Sequence, residues 1–170
     1  MEKLTLGITR VLAILLVVLM AAMVLDVTWQ IFTRFIMKDP SSFTEELAGF
    51  LLVWIGLLGA SYALYTRAHL GIDILTNRLT GTRKQLIEIV VYLVTLLFSL
   101  FVMVIGGFRL MKLAFTLKQI SPALGIPIGY VYIVLPLTGI LMMYYSLYFI
   151  LEAVKKGKLD QAGHSVSAVD

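Results

Sequence analysis

Few residues in this chain are placed to do chemistry, and each has a plainer structural use beside it. Asp26 is an ionisable side chain inside a long apolar run. Left uncompensated at mid-membrane, a carboxylate costs about 2.5–3.5 kcal/mol, and such groups often mark ion or proton sites. At helical steps of four, four and three, Ala22, Asp26, Gln30 and Thr33 share a face, with Arg34 beside it one turn beyond Gln30. That face supports a proton site or a polar seam hydrogen-bonded to another helix. The seam is the plainer reading, because one carboxylate with no second acid and no opposed broken helix makes a thin ion site. Glu45 and Glu46 are adjacent acids, but neighbours on a helix point about 100° apart and do not converge on one atom. They suit the start of a helix, where acids favour the dipole, and ion pairing with Arg34 or Arg109. His69 and Asp73 stand at i, i+4, the spacing of a metal pair or of a simple hydrogen bond. The only other histidine is His164 and there is no cysteine, so neither a zinc site nor bis-histidine haem can be completed. No Ser/His/Asp arrangement, phosphate-binding glycine loop or Walker motif is present. The expectation is a protein without enzymatic activity, cofactor or metal.

The elements that hold these residues are membrane spans. Sixty per cent of the 170 residues are hydrophobic and 14% are charged, too much apolar surface for a soluble domain of this size. The clearest stretch is Leu47 to Thr66, 20 residues without a charge; at about 1.5 Å per residue it crosses a hydrocarbon core of roughly 30 Å. Val11 to Leu25 resembles a signal-peptide core, but no A-x-A-like cleavage pattern follows, and helical character continues to about Ile36. Ile89 to Phe108 is again 20 residues without charge. The predicted fold is all-α integral membrane, with four transmembrane helices over about 11–36, 45–65, 86–110 and 128–151. Residues 67–84 mix Leu and Ile with Asp73, Asn77 and Arg78, so a short interfacial amphipathic helix is expected after the second span. Pro40 breaks the chain before the second span, where Ser42 or Thr44 is placed to cap. Pro122, Gly125 and Pro127 make 119–127 a loop or shallow re-entrant piece, and Pro136 should kink the fourth span. Residues 1–158 form one four-helix domain; 159–170 is a polar tail with the composition of a disordered end.

The second span has a surface pattern of its own. Glu45, Gly49, Gly56, Ala60 and Ala63 form one stripe, with Gly56 and Ala60 a small-residue pair that lets another helix approach closely. Trp54 points nearly the opposite way, at a depth where tryptophan is unusual against lipid. Two contact sides on one helix exceed what a lone four-helix bundle needs, which points to a protein partner in the membrane.

Charge sets the topology. Net charge is +4, but no basic run interleaves with aromatics, so nucleic acid is not the expected partner. Four spans put both termini on one side. With the termini inside, the cytoplasmic segments carry nine Lys and Arg against five outside, which supports cytoplasmic N- and C-termini.

These residues in order also resemble a family. Gln30 and Arg34, Pro40, Glu45-Glu46-Leu47, Trp54, Gly59, then His69 and Asp73, followed by Ser121-Pro122-Ala123-Leu124-Gly125-Ile126-Pro127 with Tyr132 and Pro136, are similar to the small, DctQ-like membrane subunit of tripartite ATP-independent periplasmic (TRAP) transporters. The likeness covers about Gln30 to Leu151 and is closest to the sialic-acid systems. Gly49 departs from it, standing where many relatives carry a more polar or basic residue. The resemblance implies an accessory scaffold in a bacterial inner membrane, part of a sodium-coupled importer of an organic acid such as sialic acid or a dicarboxylate. Its implied partners are a large permease subunit, which binds substrate and sodium, a periplasmic binding protein, and membrane lipids. The competing expectation is a self-sufficient small proton-coupled transporter using Asp26.

Overall fold

A computed structural model describes residues 2–39, 41–66 and 82–167. Four helices in it are long and apolar enough to cross a membrane: Lys3–Met37, Ser42–Tyr65, Gln85–Thr116 and Gly129–Lys155. The all-helical, four-span expectation holds, with each span longer than its charge-free core. The first helix, Glu2–Phe32, ends in a wider π-helical turn, Thr33–Met37, and Lys38 closes it in a left-handed conformation at φ 56°. The second helix is Ser42–Tyr65. The side chains expected to cap it do not. Thr44 turns its hydroxyl back to donate to the Ser41 carbonyl at 3.0 Å, and Ser41, at the cap position, makes no side-chain cap bond. The expected interfacial helix, with His69 and Asp73, lies outside the described residues.

The third span is Thr82–Phe98, a π-helical segment Ser99–Gly106, and Gly107–Thr116. An α-helix overshoots a full turn by about 40° in four residues, and the wider π turn reduces that drift. Ser99 and Gly107, eight residues apart, are both buried as a result. The fourth span starts with a short turn of helix, Gly129–Tyr132, breaks at Ile133, and continues as Val134–Ser167. The break is the effect expected of Pro136, placed a few residues earlier than the proline itself. Proline has no N–H for the carbonyl four residues back and clashes with it; that residue is Tyr132, immediately before the break. Past the fourth span the helix continues to Ser167, through most of the segment whose composition reads as a tail.

Packing order differs from chain order. The first helix lies along the second, the second along the fourth, and the fourth along the third. The arrangement is closer to a row, 1–2–4–3, than to a closed bundle, with the first and fourth helices joined near the start of the chain. The fourth helix is its hub and the most deeply buried of the four spans. Two glycines let it meet the third helix closely. A Cβ on Gly107 would sit 2.8 Å from the Leu135 Cβ, and one on Gly139 would sit 2.8 Å from the Met103 Cβ.

The core lies toward the end of the row where the chain begins and the last helix leaves. Leu12, Leu58, Leu64, Tyr92, Tyr145 and Phe149 are buried there. Tyr65 packs on Tyr145 with centroids 5.2 Å apart, and Tyr92 on Phe149 at 5.1 Å. The phenols end on threonines of the first helix: Thr5 Oγ1 meets the Tyr144 hydroxyl at 2.9 Å, and Thr9 Oγ1 the Tyr145 hydroxyl at 3.0 Å. Buried tyrosines need such partners. Here they also pin the first helix to the fourth, with the start of the chain on the side where the last span ends.

Candidate functional site

At the opposite end one loop is ordered by backbone bonds. Ser121 N–H donates to the Ile126 carbonyl and Ile128 N–H to the Gln119 carbonyl, both at 2.9 Å, so 119–128 closes like a short hairpin. Gly125 sits at φ 68°, a conformation that suits glycine. The turn at 122–124 leaves amides pointing outward, and two side chains receive them. Ser121 Oγ accepts from Leu124 N–H at 3.1 Å. Glu46 Oε2 accepts from Ala123 N–H at 2.9 Å and Leu124 N–H at 3.2 Å. An ionised carboxylate accepting from backbone amides makes strong, charge-assisted bonds. The first turn of the second helix is thereby latched to the loop that leads into the fourth. Among the described residues Glu46 makes no ion pair with Arg34 or Arg109. Its neighbour Glu45 stays exposed, on the rim of a notch shared with Ser42, Glu46, Pro122 and Ala123.

Asp26 faces into the row. It is 9% exposed, and its Oδ2 has no hydrogen-bond partner. Gln30 is half-buried and Thr33 buried on the same face, while Ala22 is exposed. Thr33 Oγ1 donates to the Gln30 carbonyl at 3.0 Å, a local bond that leaves Asp26 unserved. The polar face is therefore turned inward, yet it meets no partner among the described residues. Arg34 is exposed beside it. Described residues include no group of three His, Asp or Glu that could hold a metal ion.

The stripe on the second helix divides. Ala60 and Ala63 are half-buried, as is Gly59, while Glu45, Gly49 and Gly56 are exposed. A Cβ on Gly49, Gly56 or Gly59 would meet nothing within 4 Å, so the described residues leave the close-approach surface of the stripe uncovered. Trp54 is half-buried and packs against the internal core. Its side of the helix is used within the subunit, and the glycine side is left open. The sequence singled out neither Gly107 and Gly139 nor the Thr–Tyr bonds, and it named Ser121 only as part of a motif, not as an acceptor for Leu124 N–H. Gly107 meets Leu135 and Pro136, and Gly139 meets Met103 and Val104, but nothing local in the sequence names which helix either glycine faces. Ser121 and the amides it shares with Glu46 are brought together only by the fold.

These features define a class: a four-span integral membrane protein with ordered polar contacts that serve structure and no assembled reactive centre among the described residues. The family model described as "Tripartite ATP-independent periplasmic transporters, DctQ component" matches residues 23–156. The sialic acid TRAP transporter small permease protein SiaQ of Vibrio cholerae is 30% identical over 143 residues, 84% of this chain and 80% of that protein. The C4-dicarboxylate TRAP transporter small permease protein DctQ of Rhodobacter capsulatus is 28% identical over 74% of this chain and 56% of its own length. The isethionate TRAP transporter permease protein DctMQ of Oleidesulfovibrio alaskensis is 32% identical over 72% of this chain, in a match that takes up only 20% of that protein. The chain belongs to the DctQ family of TRAP transporter small permease subunits.

Proposed function

We propose that this subunit is a scaffold in a sodium-coupled importer of an organic acid, sialic acid or a dicarboxylate being the leading substrates. It works with a large permease subunit that carries the substrate and sodium sites, and with a periplasmic binding protein that delivers substrate. The observation that carries this reading is the uncovered Gly49–Gly56 side of the second helix in a row of four spans. Apolar small-residue surface of this kind favours close approach of a further helix. The fused isethionate relative, in which the matching part is a fifth of a longer permease chain, supports a large partner. The nine-to-five distribution of basic residues supports termini on the cytoplasmic side of a bacterial inner membrane. Proton-coupled transport by this chain alone would need Asp26 on a water path, and a 9% exposed carboxylate does not favour that.

The test is reconstitution. In proteoliposomes under a sodium gradient, uptake of labelled sialic acid or dicarboxylate should require the large permease and the binding protein as well as this chain. Uptake by this chain alone, abolished in Asp26→Asn, would replace the scaffold with the self-sufficient transporter.

A further inference from the structure

Where the first helix begins and the second ends, an open groove of about 560 Å³ runs between them, lined by Lys3, Leu6, Gly7, Thr9, Arg10, Ala13 and Tyr62. Lys3 and Arg10 are both exposed, and among the described residues no carboxylate lines the groove. We propose that it binds the headgroup of an anionic phospholipid, with Lys3 and Arg10 on the phosphate and the acyl chain running down the first helix. This rests on the chain's four membrane spans and is independent of what the transporter carries.

Depth is the first argument. Arg10 is the last charge before the apolar run that starts at Val11, so it stands at the edge of the hydrocarbon. Lys3 lies seven residues nearer the chain start, about 10 Å along the axis. The headgroup layer on each side of a bilayer is on the order of 5–8 Å deep. The two cations therefore bracket the layer that holds lipid phosphates. Chemistry is the second argument. The groove joins two cations, neither paired among the described residues, to apolar residues, and below it Val11, Ile14 and Val17 are exposed along the same helix. Charge at one end and continuous apolar surface beyond it match an amphiphile better than a free ion. Tyr62 adds a phenol, which can donate to a phosphate oxygen, in the interfacial position tyrosines prefer. Space is the third argument. Gly7 is exposed and a Cβ there would meet nothing within 4 Å, so the groove is open at the level between the cations. The Thr9 hydroxyl is already occupied by the Thr5 carbonyl at 2.8 Å and by Tyr145, which leaves the two cations and the Tyr62 phenol to meet a headgroup.

The test titrates the full chain in detergent micelles, with any subunit that co-purifies. The probes are dioleoyl phosphatidylglycerol, dioleoyl phosphatidylcholine and inorganic phosphate, and bound lipid is counted by native mass spectrometry. Each cation near an anionic headgroup is worth about fivefold in affinity, so Lys3→Gln with Arg10→Gln should weaken phosphatidylglycerol binding on the order of 30-fold. Gly7→Leu fills the groove, keeps both charges and suits a helix better than glycine; it should also weaken binding while the protein stays folded. Arg109→Gln with Lys112→Gln removes the same charge at the other end and should leave binding intact. The proposal is overturned by equal binding of the two lipids, by equal losses in the two double variants, or by full binding in Gly7→Leu. Displacement of phosphatidylglycerol by millimolar inorganic phosphate would overturn it in favour of a free-anion site.

Discussion

Adding one methyl group at Gly139 should weaken this protein, although alanine is the better helix former. A Cβ at that position would lie 2.8 Å from the Met103 Cβ and the Val104 Cγ2, and 3.0 Å from the Val104 backbone nitrogen. Carbon contacts are comfortable at roughly 3.5–4.0 Å, so the third and fourth helices must separate by about 1 Å. Val104 N is main chain and cannot rotate away. Overpacking of this kind costs about 1–3 kcal/mol. The gain from replacing a mid-helix glycine offsets about 0.5–1 kcal/mol of that. The net loss expected for Gly139→Ala is about 0–2.5 kcal/mol, centred on roughly 1 kcal/mol. Gly56→Ala is the matched control, because its added Cβ would meet nothing within 4 Å; the isolated chain should gain about 0.5–1 kcal/mol there. Reversible unfolding of both variants in mixed micelles, driven by added SDS, measures the difference. If Gly139→Ala proves as stable as Gly56→Ala, the close contact between the third and fourth helices is not as described, and the placement of the hub fails with it.

Two further outcomes follow from the polar contacts. Glu46→Gln removes the charge that receives the Ala123 and Leu124 amides, so hydrogen exchange at those two amides should speed up while exchange in the four spans is unchanged. Unaltered exchange there would mean that the latch does not hold the loop. Asp26→Asn should leave assembly and sodium-coupled uptake by the complete transporter intact, since a structural seam tolerates a neutral isostere. Loss of coupling with assembly preserved would make Asp26 an ion site.

The spans were legible because the bilayer imposes a length and a charge rule on each one separately. Leu47–Thr66 and Ile89–Phe108 are read from their own residues, with no knowledge of their neighbours. Helix order is a different kind of property. Nothing in 86–110 says that it packs on the fourth helix and not on the second, because both offer apolar faces and lipid competes equally for either. The latch was invisible for a related reason. Glu46 looks like any acid in a first turn, and its partners are backbone amides of residues 77 and 78 positions away, which carry no side-chain signature. Ion pairing with Arg34 or Arg109 was the reasonable expectation from charge alone. Backbone amides prevailed because the turn after Ser121 presents two of them together. The stripe from Glu45 to Ala63 follows from helical spacing alone, and only the structure separates its half-buried alanines from its exposed glycines. Trp54 was read as a second outward contact, and packs inward instead.

The account turns on whether the uncovered side of the second helix is covered by a larger permease. The direct measurement is affinity purification of this chain, tagged at its C-terminus and co-expressed with the large permease of its own transporter, in wild-type form and as Gly56→Leu. The wild type should bring the permease down in fixed stoichiometry, and Gly56→Leu should lower its recovery by on the order of tenfold through overpacking at that face. Val17→Leu, an exposed change on the first helix, should have no such effect. Recovery of this chain without the permease, or undiminished recovery with Gly56→Leu, would contradict the account.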